Sequence, residues 1–383
     1  MTTHSMIDPR TASATIDTDA LRHNIDAIAH HVAPAQVMAV VKADGYGHGA
    51  VTCARVAREA GAPWLGIATI GEALVLREAG DTGPILSWLH GPEEDYEPAV
   101  ADGIDVTAGT VDQLSSALMA AAACEKTARV QLELDSGMRR AGSDPAEWDH
   151  LCRAALECEQ TGAVKITGIW SHLATADEPD HPATQKQADA FADAVAHARS
   201  VGLEPEIVHL ANSAAALGHP ELHHDAVRLG IAMYGIDPGD GCATRAGVEL
   251  LPAMRLRAQL AAVRHVNEGD GVSYGHSWIA PHDTTLGLVP LGYADGILRA
   301  ASGRVKVRVG NRTVPIVGRV CMDQFMIDLG PDAPDAVGDE VTLFGAVDGP
   351  RAEDWAEGCD TIGYEIVSRI GGRVPRVLED GDE

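Results

Sequence analysis

The chain has 383 residues, a formal net charge of −27 and an apolar fraction of 45%, enough length and apolar content for two full cores. The acidic excess argues against nucleic acid or an anionic membrane surface as a partner, and no apolar run reaches the length of a membrane span. Seven scattered cysteines form no disulfide framework and suit a reducing cytoplasm; no cysteine or histidine spacing points to a metal.

Met1 to Arg10 is polar and lacks a secretory h-region. Ala12–Ile16 reads as a strand, and Asp17-Thr18-Asp19 then offers N-caps to a helix whose apolar face is Leu21, Ile25, Ile28 and Val32. Strand candidates recur at 36–41, 64–68, 85–88, 104–107, 129–135, 165–170, 206–210 and 226–229, separated by helical or helix-length stretches. Eight such units predict a (β/α)8 barrel, with a doubly wound sheet as the alternative. After about residue 240 long helices disappear. Short alternating runs at 256–263, 285–290, 304–309, 314–317, 324–328 and 340–344 predict an all-β domain. The expected domains are therefore a barrel over 12–240 and a β domain over 241–383. Ala12–Ile16, which precedes the first helix, is a candidate to pair with the latter.

A barrel places its chemistry at the C-terminal ends of its strands. Lys42 follows the first barrel strand inside Val40-Val41-Lys42-Ala43-Asp44-Gly45-Tyr46-Gly47-His48-Gly49, and it is one of only five lysines against twenty-four arginines. An amine beside low-dielectric walls is pushed towards its neutral, nucleophilic form. Arg140 follows the fifth strand, His172 the sixth, Asn212 and Ser213 the seventh, and Arg228 ends the eighth. This convergence points to an anionic ligand and a carbonyl open to attack. Of six tyrosines, five touch glycine: Tyr46, Tyr234, Tyr274, Tyr293 and Tyr364. Their phenols are candidates for phosphate donors or an acid–base group, whereas Tyr96, in Glu93-Glu94-Asp95-Tyr96, reads as a surface residue.

Together these segments resemble the alanine racemase family over almost the whole chain. The resemblance rests on Val40–Gly49, Asp-Ser-Gly-Met-x-Arg-x-Gly at 135–142, Ser-His-x-Ala-Thr-Ala-Asp at 171–177 and Ala-Asn-Ser at 211–213. It continues through Val-Arg-x-Gly-Ile-Ala-Met-Tyr-Gly at 227–235, Val-Ser-Tyr-Gly at 272–275, Gly-Tyr-Ala-Asp-Gly at 292–296, Gly-Arg-Val-Cys-Met-Asp-Gln at 318–324 and Tyr-Glu-Ile-Val at 364–367.

The resemblance implies a pyridoxal 5'-phosphate enzyme that interconverts L- and D-alanine and supplies D-alanine for peptidoglycan. It implies that Lys42 links covalently to the cofactor and that Tyr46, Ser213, Gly230, Ile231 and Tyr364 hold its phosphate, with Asn212 beside them. Arg140 would bond the phenolic oxygen and Arg228 would face the pyridine nitrogen. Arginine donates and cannot accept, so that nitrogen would stay unprotonated. The bases on the two faces of the α-carbon would be Lys42 and Tyr274. A phenol with a pKa of about 10 is a poor base at neutral pH, and His172 bonded to Arg228 would assist it. Tyr274, Cys321, Met322 and Asp323 would come from the other subunit of a homodimer, with Met322 near the substrate carboxylate and Tyr293 narrowing the entrance. The family commonly carries a carbamylated lysine two residues before Asp135. Here that residue is Glu133, whose carboxylate is expected to take over as the anion orienting Arg140. The alternatives are a racemase of another small amino acid such as serine, since a methylene is worth only about 1–3 kcal/mol of discrimination, or a non-catalytic cofactor-binding barrel protein. Such a protein would have no use for the Tyr274 segment.

Overall fold

Strand β1 (Ala12–Asp17) opens the chain, and its last residue caps the first helix, Thr18–Val32: the Asp17 carboxylate accepts from the Ala20 N–H at 2.8 Å. The helix buries Leu21, Ile25, Ile28 and Val32. Eight strands then alternate with helices: β2 (Gln36–Val40), β3 (Trp64–Ile67), β4 (Ile85–Ser87), β5 (Asp105–Ala108), β6 (Ala128–Glu133), β7 (Val164–Trp170), β8 (Ile207–His209) and β9 (Ala226–Leu229). All pair in parallel, and β2 pairs with both β3 and β9, closing a barrel. Parallel strands covered on both faces are apolar almost throughout, which is why they stand out in the sequence. The computed structural model describes residues 7–239, 241–346 and 348–379.

Beyond the barrel come β10 (Met254–Gln259), β11 (Ala262–Val266), β12 (Gly271–Val272), β13 (Trp278–Ile279), β14 (Thr284–Val289), β15 (Lys306–Val309), β16 (Arg312–Val317), β17 (Phe325–Gly330), β18 (Glu340–Phe344) and β19 (Arg376–Glu379). A nine-stranded sheet runs β11-β14-β17-β16-β15-β18-β10-β1-β19, while β12 and β13 form a separate hairpin. Strand β1 is antiparallel to β10 and parallel to β19, so the strand that precedes the barrel lies in the C-terminal sheet.

Three expectations need correction. The run 256–263 is not one strand. The Leu260 N–H bonds to Asp339 O and the Ala261 N–H to Leu288 O, so the backbone leaves one neighbour and joins another between β10 and β11. The C-terminal region is not all-β: it contains helices Ala352–Cys359 and Gly363–Ser368. The first is anchored by the buried Trp355, whose indole N–H donates to Leu343 O at 2.8 Å. The second carries Tyr364 to the barrel mouth. Finally, Tyr96 is 3% exposed and packs against His90, with ring centroids 5.0 Å apart. It precedes helix Glu97–Ala101, whose inner face it extends.

Candidate active site

The segment after β2 is a left-handed turn. Ala43, Asp44, Gly45 and Tyr46 all have φ between 52° and 61°. Three of these four are not glycine, and each such residue costs about 1–2 kcal/mol in this conformation. The surroundings hold it in place: Glu72 Oε1 accepts from the Ala43 N–H at 2.7 Å, Asp44 Oδ1 from the Ala50 N–H at 2.9 Å, and Arg376 Nε donates to Gly47 O at 2.9 Å. The turn aims both Lys42 and Tyr46 into one cavity of about 630 Å³. Burial, followed by the charge of Arg140, lowers the Lys42 pKa from its ordinary value; Glu72 opposes the shift and Arg228 adds to it. The ammonium lies 5.7 Å from the Trp88 ring centroid.

The same cavity is lined by Arg140, His172, Asn212, Ser213, Arg228, Gly230, Ile231 and Tyr364. Arg228 is 4% exposed. It donates to His209 Nδ1 and His172 Nδ1, each at 3.0 Å, and to the carbonyls of Ser171, His209 and Leu210. Its guanidinium carbon is 5.0 Å from the Trp170 ring centroid. Burial lowers its pKa to about 10, so it stays charged at neutral pH. Burial, then the Arg228 charge, holds His172 well below the ordinary histidine value and keeps it neutral.

At the other end of the cavity, Ser213 Oγ accepts from the Gly230 N–H at 2.9 Å. A Cβ on Gly230 would sit 2.7 Å from Tyr46 Oη and 3.7 Å from Ser213 Oγ, so only glycine leaves these hydroxyls a common space. The rings of Tyr46 and Tyr364 are 6.2 Å apart. Asn212 lines the wall, but its side chain is occupied as the N-cap of helix Ser213–Gly218, accepting from the Ala215 N–H at 3.0 Å. A larger cleft of about 750 Å³ also reaches Tyr364, yet it lacks the lysine and the buried guanidinium that would give it chemistry.

Five of the sequence-selected residues lie elsewhere. Tyr274, Tyr293, Cys321, Met322 and Asp323 are not among the cavity's lining residues; they gather on the C-terminal sheet domain. Ser273 Oγ donates to Arg319 O at 2.7 Å and lies 3.5 Å from Cys321 Sγ. The Tyr293 N–H bonds to Cys321 O at 3.0 Å, and Arg373 Nη1 bonds to Asp323 Oδ1 at 2.9 Å. Tyr274 is 72% exposed, Met322 54% and Tyr293 41%. The Tyr274 phenol is held out on a short turn flanked by positive φ at Ser273 and His276.

Comparison with known proteins decides the family. Residues 16–238 match the model for the alanine racemase N-terminal domain and residues 253–378 the model for the C-terminal domain. The chain belongs to the alanine racemase family. It is 49% identical to the alanine racemase of Frankia casuarinae over 365 residues, 95% of each chain, and 49% identical to that of Streptomyces coelicolor over 373 residues, 96% of this chain and 95% of that one. The crystal structure of alanine racemase from D-cycloserine-producing Streptomyces lavendulae superposes with a TM-score of 0.95 at 48% identity, covering 98% of both chains. The alanine racemase of Clostridium difficile 630 does so at 0.91 and 34%, covering 97% of both. Members of the family are pyridoxal-phosphate-dependent isomerases, and this chain is an amino-acid racemase. None of its described helices is long and apolar enough to cross a membrane.

Glu133 is 7% exposed, and burial raises its pKa to about 7 against the opposing charges of Arg228 and Arg140. Among the described residues it forms no ion pair with Arg140. Both instead border a small gap of about 10 Å³, close to the space one water needs. No direct ion pair therefore orients Arg140, and the shorter glutamate leaves this gap beside it. Sequence reasoning missed Trp88, His209 and Gln131. The available signal was a polar residue inside an apolar barrel strand, as in Val130-Gln131-Leu132.

Proposed function

We propose that this protein interconverts L- and D-alanine with pyridoxal 5'-phosphate, using Lys42 of one copy and Tyr274 of a second copy as opposed bases. The observation that carries this reading is the split of the chemistry: an amine with two guanidiniums in a cavity of the barrel, and a phenol left exposed on another domain. The cavity suits the cofactor. Hydroxyls of Tyr46 and Ser213 flank the space a Gly230 Cβ would fill and, with Tyr364 lining the same cavity, would take the phosphate, with the backbone of Gly230 and Ile231 beside them. Lys42 would meet the aldehyde, Arg140 would hold the phenolic oxygen and Arg228 would face the ring nitrogen.

When bound, the cofactor supplies the electron sink that acidifies the substrate Cα–H. Lys42 takes or returns the α-proton on one face, and its lowered pKa suits that task. The Tyr274 phenol works on the other face, next to His172, whose Nδ1 is already committed to Arg228. That leaves Nε2 as the atom able to exchange a proton with the phenol. Arg228, charged at neutral pH, can only donate, so it would leave the ring nitrogen unprotonated and limit side reactions that need a stronger sink. Arg140 and the Met322 backbone of the second copy would hold the substrate carboxylate, with Cys321 and Asp323 supporting that loop and Tyr293 narrowing the entrance against larger side chains.

The working unit is thus a homodimer in which each site draws on two chains. The product serves peptidoglycan synthesis. Seven unpaired cysteines fit a cytoplasmic setting. Incubating the purified protein with L-alanine in deuterated water tests the reading. Loss of optical rotation together with deuterium at the α-carbon is expected, and retention of both the rotation and the α-proton would refute it.

A further inference from the structure

One buried carboxylate has no part in the chemistry above. Asp105, on β5, is fully buried inside the barrel. Arg129 Nε donates to its Oδ1 at 2.6 Å, while Thr167 Oγ1 and Gln131 Nε2 donate to its Oδ2 at 2.5 and 3.3 Å. Gln131 Oε1 lies 2.8 Å from His209 Nε2, and His209 Nδ1 is 3.0 Å from Arg228 Nη1. The chain of contacts therefore runs through the barrel interior, from the cavity wall to a carboxylate on the other side of His209.

The two ends favour the same direction for every link. A guanidinium can only donate, so its contact with His209 is favourable only when Nδ1 accepts and the ring hydrogen sits on Nε2. Gln131 must then present its carbonyl oxygen to that hydrogen, which turns its amide N–H₂ towards Asp105. An ionised carboxylate can only accept, so the second end imposes the same orientation on Gln131. The backbone makes room for this arrangement. A Cβ at Gly168, on β7, would lie 2.6 Å from Gln131 Oε1, so the glutamine side chain crosses the one place where the neighbouring strand has no side chain. Trp170 stacks on His209 at 5.9 Å with an interplanar angle of 3° and holds the ring plane.

We propose that Asp105, Gln131 and His209 are positioning residues for Arg228: Asp105 fixes the Gln131 amide, Gln131 fixes the His209 tautomer, and His209 offers its lone pair to the guanidinium. This deepens the reading above, in which Arg228 faces the cofactor's ring nitrogen. A misdirected imidazole N–H would press against the guanidinium and tilt it, and displacement of about 1 Å at a reacting group can cost about a hundredfold in rate.

The test uses Gln131→Met, which breaks the chain at similar volume and leaves the Asp105–Arg129 pair intact. Asp105→Asn is a second variant. Nitrogen-15 histidine spectra of the cofactor-free protein, assigned with His209→Asn, read the tautomer directly. Wild type is expected to show a single neutral Nε2–H form and Gln131→Met a mixture. In the loaded enzyme, kcat should fall about ten- to a hundredfold with KM little changed. Gln131→Glu can accept from His209 and, as the neutral acid, donate to Asp105; it should restore the single tautomer and most of kcat. An unchanged tautomer in both Gln131→Met and Asp105→Asn, or an altered tautomer with kcat intact, overturns the proposal. Failure of the wild type to racemise alanine would instead count against the parent reading, since the spectra do not depend on it.

Discussion

The two halves of the site are built in opposite ways. Around Lys42 and Arg228 the framework is tied down: Arg228 makes five hydrogen bonds in a buried setting, and the strained turn carrying Lys42 is tied to Glu72, Ala50 and Arg376. Around Tyr274 the backbone is pinned by Ser273 and Tyr293, but the phenol and the Met322 side chain point into solvent. Burial tunes pKa values on the first side, whereas the Tyr274 side chain lies in solvent. A base needs desolvation and a fixed position, so the role proposed for Tyr274 requires another surface to cover it. The contrast is itself the argument for a shared site.

The sharpest way to break that contrast is to remove one member of each half. Lys42→Ala is expected to lower kcat/KM by at least about 10⁴-fold, since nucleophile and base vanish together, and to abolish the visible absorbance of the lysine-linked cofactor. Polarimetry and a spectrum check both. Tyr274→Phe is expected to bind cofactor normally and lose about 10²- to 10⁴-fold in racemisation, while still exchanging the α-proton of one enantiomer with deuterated water. Mixing the two inactive variants by co-expression then separates shared from self-contained sites. Random pairing puts half the dimers in the mixed form, each with one site holding an intact Lys42 and an intact Tyr274. About a quarter of wild-type activity should return. No recovery would mean that both bases come from one chain.

Glu133 tests whether the buried half has a weak point. Burial lifts its pKa from the usual 4.5 to about 7. In the cofactor-free chain the folded state then keeps a proton that the unfolded state releases between those values. Its contribution to stability is fully present below pH 4.5 and is lost as pH rises through 7. Glu133→Gln removes that loss. The stability of this variant relative to wild type should climb from pH 4.5 and level off above pH 7, by up to about 3 kcal/mol. Urea unfolding at a series of pH values reads it. A flat difference would mean that Glu133 stays ionised through a stronger tie to Arg140 than the gap between them allows. The tie, if present, would also make activity fall in the variant.

Legibility in the sequence follows the same division. The eight barrel strands stood out because double-sided burial makes them apolar throughout, and Lys42, Arg140, His172, Ser213 and Arg228 were found because they break those runs at their C-terminal ends. The break at Leu260-Ala261 was hidden: Leu256 to Val263 contains no glycine or proline, and only the change of partner from Asp339 to Leu288 separates the strands. The helices Ala352–Cys359 and Gly363–Ser368 were too short for a 3.6-residue period to rise above the surrounding pattern. The left-handed turn could not be read either. Glycines at 45, 47 and 49 hint at positive φ, but Ala43, Asp44 and Tyr46 adopt it against their own preference, and only tertiary contacts explain that. Gln131 lies inside β6 and His209 ends β8 between apolar neighbours, where a polar residue gives no direction until the barrel closes.

The smallest expected effect comes from one added methyl group in the buried half. In Gly230→Ala the new Cβ would meet Tyr46 Oη at 2.7 Å. A free tyrosine would swing aside, but the Tyr46 ring packs on Tyr234 with centroids 4.8 Å apart and has Tyr364 on its other side. The hydroxyl must therefore move by a few tenths of an ångström within a dense wall, away from the place where a phosphate would sit. Cofactor affinity should weaken by about tenfold, the worth of one well-placed hydrogen bond, with kcat at saturating cofactor nearly unchanged. Fluorescence titration of the cofactor-free protein measures the first and steady-state kinetics the second. Met322→Leu, an equally small change on the exposed half, should leave cofactor affinity alone and alter only KM. If both variants shift the same parameter, the two halves are not the separate binding and closing surfaces that their burial indicates.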